Sequence, residues 1–302
     1  MAPSPSDEAT LVSVIAEVLE AHGQRPDLSD DCGFPRHPTA LVTTDTLVEG
    51  VHFDTVWDDD AQIGAQAAVQ NLSDLAASGG DTPWLVWALC LPSAWRRADR
   101  LAALTDGFAR VARDHGAQVL GGNLTRTPGP LVITVTAGGA LAGAHALRRD
   151  AARPGQTVFV SGTLGDAALG VLRPTAETRA ARHAWRPHLA EARALAVHTD
   201  AGACMDISDG LLLDATRLAR ASGVTLGLDS SRVPVSTLYR RLLGADARLA
   251  LSGGEDYVLL FTATTPPPFP CFAIGEVLAA RPGTPVLLDD EPAPALGWDH
   301  FA

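Results

Sequence analysis

Strand-length apolar runs alternate with helix-period stretches and Gly/Pro/Asp turns from about residue 40 to about residue 277, and this alternation narrows the fold more than any other feature. ALVTTD at 40–45 reads as a strand, 60–78 as a helix, and PWLVWALCLP, bounded by Pro83 and Pro92, as a buried strand. A helix over 97–115 and two strands in AQVLGG and PLVITVTAGG follow. Periodicity lapses between Ala140 and Pro154, and TVFVSGTLGDAALG then opens a new strand, turn and helix. Strands at 203–207, 224–228, 256–263 and 271–277, a helix at 210–222 and a rigid loop in TTPPPFPC complete the pattern, and an amphipathic helix is expected over 7–22. The class is α/β, with a sheet order that the sequence does not give. A chain of 302 residues exceeds one ordinary core, so two domains are expected, over 1–143 and 144–302.

The excess of 35 Asp+Glu over 23 Lys+Arg leaves a net charge of -12, which provides no general basic field for a nucleic-acid backbone. An acidic protein still binds a triphosphate where its carboxylates hold Mg²⁺, because the ion inverts the local field. Cys32, Cys90, Cys204 and Cys271 are far apart, with neither zinc-site spacing nor a disulfide framework, which fits a reducing cytoplasm. No export signal or membrane-length apolar run is expected; the longest apolar run, 85–91, is far too short to span a bilayer.

Short acidic motifs recur at turns: Asp30-Asp31, Thr44-Asp45, Asn71-Leu72-Ser73-Asp74 and Asp206-Ile207-Ser208-Asp209-Gly210. Several interrupt apolar stretches, where an ionised carboxylate is costly without a cation or hydrogen-bond donors. Taken singly, Asp30, Asp31 and Asp45 serve equally well as caps or turn residues, and Asp209 equally well as the cap of helix 210–222. Asp74 lies inside an apparent helix, where aspartate is a poor helix former. Glycine-rich segments around Gly121-Gly122-Asn123, Ser161–Asp166 and Leu251–Tyr257 would allow backbone N–H groups to approach a phosphate or simply make turns. There is neither a P-loop nor a dinucleotide-binding fingerprint, and no Ser–His–Asp or Cys–His set supports a covalent nucleophile. His52 and Trp298 are candidate ligand contacts that could equally be packing residues.

In order along the chain, TTDTLVEGVHF, NLSDLAASG, LGGN, ALRRDAARPGQ, DISDGLLLD, LSGGEDY and GWDHF resemble the successive motifs of the thiamine-monophosphate kinase family, in the aminoimidazole-ribonucleotide-synthetase-like superfamily. The resemblance spans about residues 30–301. It implies a two-domain fold with α+β-type mixed sheets, and transfer of the ATP γ-phosphoryl group to thiamine monophosphate without a phosphoenzyme. It also implies several Mg²⁺ ions held by Asp30, Thr43, Thr44, Asp45, Asp74, Asn123, Asp206 and Asp209. Gly122, Asn123, Arg149 and Ser208 would contact ATP, and Asp74, Asp209 and Arg149 would stabilise charge during transfer. His52, Glu255 and Trp298 would contact the substrate, with Trp298 stacked on its cationic rings. The family further implies a homodimer joined through the N-terminal domains, with ATP bound near that interface.

The chain departs from the family at Asn123, where an aspartate is usual, and at Ser29, where a glycine is usual. An amide offers Mg²⁺ a carbonyl oxygen but no charge, so one ion is expected to be held less tightly. The sequence alone leaves two other readings open: a paralogue that uses ATP to activate another substrate, and a catalytically weak nucleotide-binding homologue.

Overall fold

The computed structural model describes residues 30, 32 and 40–298. The expected helix at 7–22, Asp31, Ser29 and the last part of GWDHF lie outside the described residues.

A four-stranded mixed sheet occupies the first half. β1 (Ala40–Val48) and β2 (Gly80–Leu91) both pair antiparallel with β4 (Val132–Leu141), and β3 (Gln118–Arg126) adds parallel to the outer side of β2, giving the order β1-β4-β2-β3. The parallel pair requires a crossover, which α2 (Ala98–Asp114) provides. The strand expected in AQVLGG runs on to Arg126, so Gly121, Gly122 and Asn123 lie within an edge strand and not in a glycine-rich turn. All nine residues of β3 are exposed, Val119, Leu120 and Leu124 among them.

The second half is a seven-stranded sheet in the order β11-β10-β7-β9-β5-β8-β6. Its strands are β5 (Thr157–Val160), β6 (Ala201–Ile207), β7 (Thr225–Leu228), β8 (Val258–Ala263), β9 (Phe272–Leu278), β10 (Val286–Leu288) and β11 (Glu291–Pro292). Only β7 and β10 pair in parallel. The helices are α3 (Asp166–Leu172), α4 (Ala176–Arg182), α5 (Leu189–Ala196), α6 (Leu211–Ser222), α7 (Thr237–Leu243) and α8 (Arg248–Ser252).

The element that joins the halves is α1 (Asp60–Ala77). Asp59 caps it and Gln62 completes a capping box, which satisfies two orphan donors of the first turn. Its alanine-rich body favours helix, and it is buried on nearly every side, Gln66, Asn71 and Ser73 included. The reason is position: one face packs on β1, β2 and β4, and the other meets α5, β6 and β8. The first apolar cluster accordingly runs across the seam, from Leu72 and Leu75 to Cys204, Leu259 and Phe261. A helix buried on both sides brings polar side chains of the first half against the second half.

Candidate active site

Strand alternation divides the Thr43-Thr44-Asp45 motif between two faces of the sheet. Thr43 is buried towards α1 and donates its hydroxyl to Asp74 Oδ2 at 2.6 Å. Thr44 leaves from the opposite face, where its hydroxyl donates to the Val135 carbonyl at 2.9 Å. Asp45 shares the Thr43 side, and its main-chain N–H donates to Asn71 Oδ1 at 3.2 Å. One residue before Asp74, Ser73 donates to Asp206 Oδ2 at 2.6 Å across the seam. The Asp206 carboxylate, at the end of β6, is almost fully buried. Thr43, Asp74, Ser73 and Asp206 therefore form one contiguous strip.

Asp30 adjoins this strip. Its Oδ1 accepts from the Arg149 main-chain N–H at 2.8 Å, its Oδ2 pairs with the Arg148 guanidinium at 2.9 Å, and nearby Cys32 donates weakly to the Asp74 carbonyl. Asp30 thus holds the Arg148 guanidinium and the Arg149 main-chain N–H, and Ser222 donates to the Arg149 carbonyl.

The 206–210 turn is the hub of the site. Asp209 does not cap α6. The N-cap of that helix is Gly210, with no side-chain cap bond, and Asp214, inside the helix, ties the turn down: its Oδ2 accepts from the Asp209 and Gly210 N–H groups at 3.1 Å each. Burial, reinforced by the neighbouring Asp209 charge, pushes the Asp214 carboxyl up to about 7. The Arg217 guanidinium bridges Asp209 and Asp214. Gly210 stands at φ 122°, and a Cβ there would lie 2.8 Å from the Ser252 carbonyl, so only glycine fits this turn. Two further segments clip onto the turn through its carbonyls: Glu255 N–H donates to Ser208 at 2.7 Å and Trp298 N–H to Asp209 at 2.9 Å. The Trp298 ring is half exposed.

Glu255 has a left-handed backbone, φ 66°, and its Oε1 accepts from Gln66 Nε2 at 2.6 Å; the same amide lies 3.4 Å from the His52 carbonyl. His52 Nδ1 accepts the Val48 N–H at 3.0 Å, which fixes Nδ1 as the acceptor nitrogen of the ring. The expected substrate contacts His52, Glu255 and Trp298 are thus joined through Gln66 and the 206–210 turn, although they come from three distant parts of the sequence.

Gly122 and Asn123 stand apart from this group. Asp45 faces Val135, Val135 faces Trp87, and Trp87 faces Gly122, so three strand spacings, about 14 Å, separate the two edges of the sheet. Within one chain the Asn123 amide does not reach the Asp45 side.

Among the described residues no three His, Cys, Asp or Glu side chains already stand as a metal-binding group. The donors along the strip are nonetheless all hard oxygens, carboxylates of Asp74 and Asp206 with hydroxyls of Thr43 and Ser73. Such a set fits Mg²⁺, which keeps several waters and takes a few carboxylates together with substrate phosphates. Ser73, Gln66, Asp214 and Arg217 are contributors that motif reading missed. Ser73 and Asp214 lie within motifs quoted above, NLSDLAASG and DISDGLLLD, and Arg217 stands one helical turn after Asp214, whereas nothing local marks Gln66.

The family model "AIR synthase related protein, N-terminal domain" matches residues 29–141. The chain is 36% identical to the thiamine-monophosphate kinase of Salmonella typhimurium, over 91% of each chain. It is 34% identical to that of Corynebacterium glutamicum, over 95% of this chain and 92% of the relative. The solved structure of AaThiL complexed with AMPPCP and TMP covers 99% of this chain, and all of its own, at a TM-score of 0.86 and 31% identity.

Proposed function

Because the chain belongs to the thiamine-monophosphate kinase family, we propose that it transfers the γ-phosphoryl group of ATP to the phosphate of thiamine monophosphate. An acceptor phosphate oxygen bonds the γ-phosphorus, the bond to the β–γ bridging oxygen breaks, and ADP and thiamine diphosphate leave. The 206–210 turn carries this reading. On one side Asp206 meets the Asp74 strip through Ser73, and on the other the turn's carbonyls hold Glu255 and Trp298. Nucleotide-side and acceptor-side groups thereby share one rigid turn, which is the positioning that in-line transfer demands.

In this reading Asp30, Asp45, Asp74, Asp206 and Asp209, with Thr43, hold Mg²⁺, and Thr44 takes part only through its main chain. Held by these residues, Mg²⁺ would supply charge neutralisation for the phosphates. Arg149 and Ser208 contact ATP, and His52, Glu255 and Trp298 hold the acceptor. The nucleotide and the dimer contact belong to 1–143, and 144–302 completes both substrate sites.

A homodimer supplies what one chain lacks. A second copy that sets its exposed β3 edge beside the β1 edge of the first brings Gly122 and Asn123 to Asp45 and covers an unpaired nine-residue edge that carries Val119, Leu120 and Leu124. Among the described residues no helix is long and apolar enough to cross a membrane. We place the protein in the cytoplasm on the cysteine spacing given above.

The test is a titration of the protein with Mg-ATP and thiamine monophosphate, followed by direct detection of thiamine diphosphate. Formation of thiamine diphosphate that requires both substrates and Mg²⁺ is expected. Binding of both ligands without turnover would assign the chain a silent, nucleotide-binding role instead.

A further inference from the structure

A second polar cluster crosses the seam beside the acceptor site. Arg182, the last residue of α4, is buried, and its guanidinium forks: Nη1 lies 2.8 Å from Asp58 Oδ1, and Nη2 lies 3.2 Å from Glu255 Oε2. His183 Nε2 is 2.8 Å from the same Asp58 oxygen. Together with Gln66 on Oε1, Arg182 fixes both oxygens of Glu255, one from each half of the molecule.

The charges do not balance. Asp58 and Glu255 contribute two negative charges against one guanidinium. His183 also serves Asp58 alone, through Nε2, so Asp58 has two side-chain partners where Glu255 shares the guanidinium with it. Glu255 has the longer contact to the guanidinium, 3.2 Å against 2.8 Å, and the more open side chain, 27% exposed against 2% for Asp58, so it is the less fully paired of the two carboxylates. A small cleft opens on it, bounded by Trp185, Asp166, Thr163 and Arg186, the last paired with Glu191. A half-neutralised carboxylate at the mouth of a cleft suits a cation, and a planar heteroaromatic one fits beside an indole.

We propose that Arg182 is a positioning residue for the acceptor: shared between Asp58 and Glu255, its guanidinium holds the Glu255 carboxylate in place as the counter-charge for the cationic ring of thiamine monophosphate. The inference rests on the function proposed above. Burial pushes the Glu255 carboxyl up, and the Arg182 charge is the foremost influence pulling it down. Without Arg182 the carboxyl faces burial and the Asp58 charge together, so it loses both its aim and its anionic form. Lysine in place of Arg182 supplies a charge but not the planar fork, and serves one carboxylate at a time.

Steady-state kinetics of the full chain, varied in each substrate, test this. In Arg182→Met the KM for thiamine monophosphate should rise about tenfold or more, as expected for losing roughly 1.4 kcal/mol of binding, while the KM for ATP stays within about twofold. Arg182→Lys should recover part of the loss. Because Arg182 acts through Glu255, the double variant Arg182→Met/Glu255→Gln should bind the acceptor no more weakly than Glu255→Gln alone. If the Met variant fails to fold, Arg182→Lys, alone and combined with Glu255→Gln, gives the same comparison. An unchanged acceptor KM, equal losses for both substrates, or additive losses in the double variant would overturn the proposal. Wild-type turnover measured in parallel separates this failure from failure of the assigned reaction, since only the latter abolishes thiamine diphosphate formation in the unmodified chain.

Discussion

His188 is almost fully buried, with Nδ1 2.9 Å from Ser161 Oγ, whose oxygen also accepts the Leu259 N–H. Burial, with the Arg186 charge beside it, pushes the imidazole down to about 4. The unfolded chain, with an ordinary histidine, therefore takes up a proton that the folded chain refuses between about pH 6.5 and pH 4. Stability should fall as pH is lowered through this window, by on the order of 3 kcal/mol from this one group. Urea denaturation at stepped pH should show the slope, and His188→Gln should flatten it. At Asp74 the expectation concerns turnover: Asp74→Asn keeps an acceptor for Thr43 but removes the charge, so phosphoryl transfer should drop roughly 100-fold while the urea midpoint hardly moves. Unaltered turnover at saturating Mg²⁺ would remove Asp74 from the site. Asp74 stood out in the sequence because a helix tolerates aspartate poorly there, whereas Arg182 and Gln66 did not. Their partners lie 73 and 189 residues away, and no local pattern encodes such a meeting.

The close contact between α1 and α2 rests on two glycines. A Cβ on Gly64 would come within 1.9 Å of the Leu104 carbonyl oxygen, and one on Gly107 within 1.8 Å of the Ala61 carbonyl oxygen. The helices touch backbone to backbone, so Gly107→Ala must force them apart. We expect a cost of about 1–3 kcal/mol or more, read as a lower denaturant midpoint with little change in acceptor KM. The long elements were legible in the sequence because hydrophobic period and turn residues agreed: the helices expected at 60–78 and 97–115 form as Asp60–Ala77 and Ala98–Asp114. The helices Ala176–Arg182, Leu189–Ala196, Thr237–Leu243 and Arg248–Ser252 leave no clear mark in the sequence, since one or two turns carry too little periodicity. The sequence shows β3 as a strand but not as a wholly exposed edge, because exposure depends on which strand lies beside it.

The whole molecule is organised around one helix buried between two sheets. That arrangement explains why the aspartate motifs, each ambiguous alone, converge: Asp74 and Ser73 ride on the shared helix, and Asp206 ends the strand facing it. Sheet order, which the sequence left open, separates Asn123 from Asp45. If a second copy supplies Asn123, two crippled chains should complement each other. Asp45→Asn and Asn123→Leu homodimers should each be poorly active, while co-expression of the two should restore activity through mixed dimers that carry one intact site. No recovery in purified mixed dimers would place each site within a single chain.

The bare β3 edge also has a bearing on how the enzyme must be assayed. If a partner's strand completes the site, specific activity becomes a function of protein concentration. Rate per chain should then decline once the preparation is diluted below the dissociation constant of the pair, and turnover numbers from very dilute assays would report assembly as much as chemistry.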